Sequence, residues 1–147
     1  MNMIPVPRIA PALLAVLLAL PGQSAQAAIQ TREENMANPR GWSAIAGMDP
    51  RAVREVARTL PLSENAVDDQ PWCDRKAELE RTLRHDFGES KVASGGEGTT
   101  LWGSQVMGTW TVVFERPDAT SCVIASGIGF SDGTNPEVFF VKAGLNG

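Results

Sequence analysis

The residues best able to do chemistry in this chain are few: a single histidine, His85, and two cysteines, Cys73 and Cys122. His85 stands beside Asp86 and close before Glu89, an arrangement that invites acid–base work or metal binding. A transition-metal site needs several imidazole or thiolate ligands, and one histidine with no thiol free to join it makes a poor one. His85 also falls in the last turn of an expected helix, where a partly charged imidazole is favoured in any case, so a solvated or capping histidine accounts for it. The carboxylates Asp74, Glu78, Glu89, Glu97 and Glu115 are scattered and read as solvated surface. No Ser/His/Asp order, paired metal ligands or thiol–imidazole pair can be assembled without forcing residues together. The expectation is therefore no catalytic residue, no metal ligand and no cofactor. A small hydrolytic enzyme using carboxylates and His85 is the alternative.

How the cysteines are read depends on the compartment. Arg8 precedes an apolar run over residues 9–20, Pro21-Gly22 breaks the run, and Ala25-Gln26-Ala27 follows. A positive start, a short apolar stretch and a small-x-small site form the pattern of a secretory signal peptide. The run falls short of the roughly 20 residues a bilayer span needs. Cleavage after Ala27 and a periplasmic or secreted location are expected, with no stable membrane insertion afterwards. No cysteine follows the apolar run until Cys73, which argues against a lipid-anchored N-terminus. The remainder is one domain's worth of chain. The whole chain carries a formal charge of −4, and losing Arg8 makes it slightly more acidic. With no basic cluster, nucleic acid is not an expected partner.

In an oxidising compartment two cysteines in a small domain usually pair. A Cys73–Cys122 disulfide is thus expected, spanning 49 residues of sequence, a loop worth about 4 kcal/mol by chain entropy. Two independent buried thiols are the alternative. A redox-active pair lacks its C-x-x-C spacing.

These residues need elements to hold them. Residues 108–130 read as a β-hairpin. Trp110, Val112 and Phe114 alternate with Thr109, Thr111 and Val113 to make an apolar face. Pro117 and Asp118 suit a turn. In the second run Cys122, Ile124, Ser126 and Ile128 fall on one face and Val123, Ala125, Gly127 and Gly129 on the other, unless Gly127 and Gly129 mark a bulge. Residues 99–107 read as a further strand and residues 137–142 as a last one. Asp49-Pro50 starts a short helix over 50–60, with Val53, Val56, Ala57 and Leu60 on one face. Residues 72–87 read as the main helix, stopped by Gly88, with Leu79, Leu83 and Phe87 in a stripe that should cover Trp110, Val112 and Phe114. Cys73 on that helix and Cys122 on the sheet would then tie two layers together.

The expected organisation is a signal peptide over residues 1–27, a leader over 28–71 carrying the short helix, and a helix-plus-sheet domain over 72–143. The fold class is α+β: an amphipathic helix packed on one face of a small antiparallel sheet of three to four strands, preceded by a short helix. Trp102, Trp110, Gly127 and Gly129 are the candidate ligand surface, because sheet aromatics can stack on flat ligands and small residues admit close approach. Against this, large aromatics supply much of the burial in so small a domain.

The stretch Gly108-Thr-Trp-Thr-Val-Val, the Pro-Asp turn, and Ser121-Cys-Val-Ile-Ala-Ser-Gly, preceded by a helix ending Phe87-Gly88-Glu89, resembles a group of small exported bacterial proteins of uncharacterised function. Their hairpin carries a GTWT…SCxxAxG pattern, and the resemblance covers about residues 72–130. It departs at the turn, where Ala119 stands in place of the usual Gly. It implies export and a helix-plus-sheet arrangement, and it transfers no catalytic residue. Together these readings point to a non-enzymatic binding or accessory domain of the cell envelope, whose partner is an envelope protein or a small ligand.

Overall fold

The computed structural model describes residues 39–145 apart from 66 and 68. The expected signal peptide and the first part of the expected leader lie outside the described residues. In chain order the elements are β1 (Arg40–Ser43), α1 (Pro50–Ala57), β2 (Cys73–Arg75), α2 (Lys76–Asp86), β3 (Ser90–Ser94), β4 (Thr99–Ser104), β5 (Thr109–Glu115), β6 (Thr120–Ile128) and α3 (Glu137–Lys142). All strand pairs are antiparallel. The sheet runs β1-β6-β5-β4-β3, and β2 shares with β1 the outer edge of β6.

The class is α+β, as the sequence suggests, but the six-stranded sheet is larger than three to four strands. The additional strands come from stretches without a clear period of their own. β1 comes from the polar leader, β2 from the start of the expected main helix, and β3 from the residues after Gly88. Residues 137–142, read as a strand, form a helix instead. Just before its start, Asn135 accepts a hydrogen bond from the Glu137 N–H at 3.0 Å. A short apolar run such as Val138-Phe139-Phe140-Val141 does not distinguish the two states by period alone.

Trp102 and Trp110 project to opposite faces, because Trp110 pairs with Gly103 rather than with Trp102. Each face therefore carries one indole that needs cover. On the first face Val53 and Ala57 of α1, and Phe139 and Phe140 of α3, close over Leu101, Trp110, Val112 and Ile124. On the second face Leu79 and Leu83 of α2 pack on Trp102 and Val113. The stripe of the main helix thus meets the face opposite to Trp110, Val112 and Phe114, correcting the expectation. Helices cover both faces, not one.

Cys73 and Cys122 form a disulfide. They sit directly opposite each other on β2 and β6, so the bridge joins neighbouring strands within the sheet. The expected tie between helix and sheet is corrected: the chain turns into α2 only after Arg75. α1 docks firmly. Asp49 caps its start, accepting from the Arg51 N–H at 2.8 Å. The Arg116 guanidinium, reaching from the sheet, donates to the carbonyls of Ala57 at 3.1 Å and Leu60 at 2.6 Å. A cation at those carbonyls meets the negative end of the helix dipole.

One bulge decides which side chains reach which face. β5 and β6 pair Val112 with Ala125 but Val113 with Val123, so Ile124 is the extra residue. Ile124 and Ala125 both enter the first core. Beyond the bulge the parity of β6 is reversed. Gly127 joins Trp110 on the first face, while Ser126 and Ile128 turn to the second, and the regular alternation expected for this strand does not hold.

Candidate functional site

The second face is only partly covered. α2 ends at Asp86, and Gly88, with φ of 61°, turns the chain back beneath it. The Glu89 N–H then reaches the Leu83 carbonyl at 2.9 Å. This turn carries Glu89 under the end of the helix and leaves Phe87 at its rim. Beyond that rim lie Thr109 and Thr111 of β5, Ser126 and Ile128 of β6, and Trp42 of β1. Trp42 stands opposite Ser126, and Thr111 stands opposite the same serine from the other side. These residues line a groove made of two adjoining hollows of about 270 and 220 Å³, both bordered by Phe87, Thr111 and Ser126. The first continues past Leu83 and Val123 to Trp72 and Gln70. The second ends on Glu89.

The groove has apolar walls and a hydroxyl-bearing floor. Trp42 is 56% exposed and Phe87 46% exposed, unusual for side chains of that size unless something covers them. At the closed end Glu89 is only 2% exposed. Its Oε1 accepts a hydrogen bond from the Thr109 hydroxyl at 2.9 Å, while its Oε2 is buried with no protein partner. Burial pushes the Glu89 carboxyl above the ordinary carboxylate range, with the Thr109 and Thr111 hydroxyls pulling more weakly the other way. A buried carboxyl that retains its proton can donate a hydrogen bond, and it becomes a strong cation acceptor once ionised.

The other perturbed carboxylate belongs to the frame. Burial works to raise the Glu115 carboxyl, but Lys76 and Lys91 together outweigh it and hold it below the usual range. Lys76 donates to Glu115 at 2.6 Å and Lys91 at 3.4 Å. This bridge ties α2 and β3 to β5.

The residues singled out from the sequence are placed as follows. Trp102 and Trp110 are buried, one under each helical layer. The Trp110 indole lies across Gly41 and Gly127, where an added Cβ on either would collide with it, and its Nε1 donates to the Ile128 carbonyl at 3.1 Å. Gly127 thus seats a core ring, and both it and Trp110 also border the second hollow. Gly129, with φ of 88°, turns the chain out of β6, its N–H donating to the Gly108 carbonyl at 2.7 Å. His85 is exposed on α2, while the Glu89 carboxyl is turned inward to Thr109; the two sit in different environments. Among the described residues no group of three or more His, Cys, Asp or Glu could hold a metal ion, and no helix is long and apolar enough to cross a membrane.

Comparison with protein-family models, with curated proteins and with solved structures finds no match. The groove must therefore be read from its own chemistry. The sequence reading missed its walls. It set Phe87 in the core stripe. One signal was present: Thr109 and Thr111 alternate with Trp110 and Val112, a strand with one polar face, which is the pattern of a sheet only half covered.

Proposed function

We propose that this chain is an exported, non-enzymatic binding domain of the bacterial cell envelope, and that the groove between Trp42 and Phe87 is its ligand site. One observation carries the reading: a stretch of sheet floored by Thr111 and Ser126 is left bare by α2 and flanked by two large, exposed aromatic side chains. Apolar clefts with a few convergent polar groups are the usual form of a binding site. The groove holds a hydroxyl floor and one buried acid, with no nucleophile–base pair to support turnover. The signal-peptide pattern and the resemblance to small exported proteins support the location. They also agree with the Cys73–Cys122 disulfide, since such bridges persist in oxidising compartments.

The test compares the wild-type chain with Ser126→Trp, which fills the groove from an exposed strand position. Both are expressed with the leader in a Gram-negative bacterium, and the periplasmic fraction is analysed. The mature mass should begin at Ala28. The wild type should retain an envelope protein or small molecule that Ser126→Trp does not. Retention by both variants, or a chain that stays in the cytoplasm uncleaved, would overturn the reading.

A further inference from the structure

We propose that the ligand of this groove is a molecule joining a protonated amine to an apolar body, with the amine seated on Glu89 and the body held between Trp42 and Phe87. This rests on the groove being the binding site and adds the chemistry of its occupant.

Three observations converge. First, Glu89 is a buried acid without a counter-ion. Among the described residues it is the one fully buried carboxylate, and half-buried ones nearby have cationic partners: Glu115 has Lys76 and Lys91, Glu80 has Arg84, and Glu78 has Arg81. Glu89 has the Thr109 hydroxyl on Oε1, the weaker pull of the Thr111 hydroxyl, and no hydrogen bond on Oε2. Such a group is costly to bury, and a cation arriving in the groove would satisfy the free oxygen and the missing charge together. Second, the walls suit a cation. Aromatic faces attract ammonium groups, and Trp42 and Phe87 both border the hollow that ends on Glu89. Third, the cations near it in sequence are committed elsewhere: Lys91 donates to Glu115 at 3.4 Å, and Arg84 lies over the Trp102 ring at 5.1 Å and pairs with Glu80. A neutral ligand would leave Oε2 without its charge partner, and an anionic one would face the acid directly.

The experiment is an NMR titration of the intact mature chain with three probes of one shape: 2-phenylethylamine, 2-phenylethanol and 3-phenylpropionate. The amine should shift the resonances of Trp42, Phe87 and Thr109 and bind at least tenfold more tightly than the alcohol, with the acid weakest. Glu89→Gln, shown to be folded by its amide spectrum, should bring amine and alcohol to equal affinity. If the alcohol binds wild type as well as the amine does, or if Glu89→Gln leaves the preference intact, the ligand class is wrong while the groove stands as a site. If no probe moves the groove resonances, the binding-site reading itself fails. If those resonances move with protein concentration alone, the groove belongs to a second copy of the chain and the small-amine proposal is overturned.

Discussion

Replacing both cysteines, Cys73→Ala with Cys122→Ala, should cost about 4 kcal/mol, and the cost should arise almost wholly in the unfolded chain. The disulfide spans 49 residues of sequence. Loop-closure entropy assigns a cross-link of that span about 4 kcal/mol, and the small cavity left by two buried sulfurs adds to it. The native strand does not need the bridge to stay in place. The Trp72 carbonyl accepts from the Val123 N–H at 2.9 Å, and the Lys76 N–H donates to the Ala119 carbonyl at 2.9 Å, so β2 is anchored on both sides of Cys73. Domains of this size unfold with about 2 cal/mol/K of entropy per residue, which turns 4 kcal/mol into roughly 15–20 °C of Tm. Urea unfolding followed by tryptophan fluorescence suits the measurement, because Trp102 and Trp110 are buried in separate cores. The variant should also show a larger m value, since its unfolded chain is free to expand. A loss below about 1 kcal/mol would refute the reasoning. So would loss of hydrogen-exchange protection at the Val123 amide under native conditions, because the bridge would then be holding the strand itself.

Three further outcomes follow from single sites. Ala119 occupies a left-handed position, with φ of 62°, as the third residue of the β5–β6 turn; Ala119→Gly should raise stability by about 1 kcal/mol in the same urea assay. Gly127→Ala would drive a methyl into the Arg40 carbonyl and the Trp110 ring; it should destabilise by about 1–3 kcal/mol, with a red shift in tryptophan emission as the indole is displaced. Glu89 is held above its ordinary range by burial, so its folded form binds a proton that the unfolded chain releases. Its contribution is complete below the ordinary glutamate range and fades as pH rises through the folded value. Glu89→Gln should therefore gain in Tm relative to wild type between pH 4 and pH 7; an unchanged difference across that interval would show that the carboxyl does not hold its proton.

The parts of the fold legible in the sequence are those whose period is strong and whose termini carry signals. The hairpin over β5 and β6, the Asp49-Pro50 helix start, the Gly88 stop and the disulfide partners all come from local chemistry. The left-handed backbone at Ala119, a conformation that favours glycine, is a feature of the turn that the Pro117-Asp118 pair alone does not specify. What the sequence did not disclose depends on pairing. β1, β2 and β3 have three to five residues each, too few to set a period, and they become strands because β6 and β4 offer edges. The single extra residue at Ile124 reverses every later side chain of β6, so a face assignment made by counting alternate residues goes astray after that point. The groove was hidden for the same reason. Trp42 reaches Ser126 only through the β1–β6 register, and Glu89 is carried beneath α2 by a turn whose depth no periodicity reports.

β6 pairs with β1, β2 and β5, yet it is the last strand among the described residues. The first, second and fifth strands must therefore wait for residues 120–128 before the sheet can close. Long-range pairings of this kind slow folding, and a chain emerging from its N-terminus would leave β1 and α1 without their partner until residues 120–128 had appeared. Under the export we propose, such an arrangement postpones compaction to the far side of the membrane, where oxidants can seal the sulfur bridge.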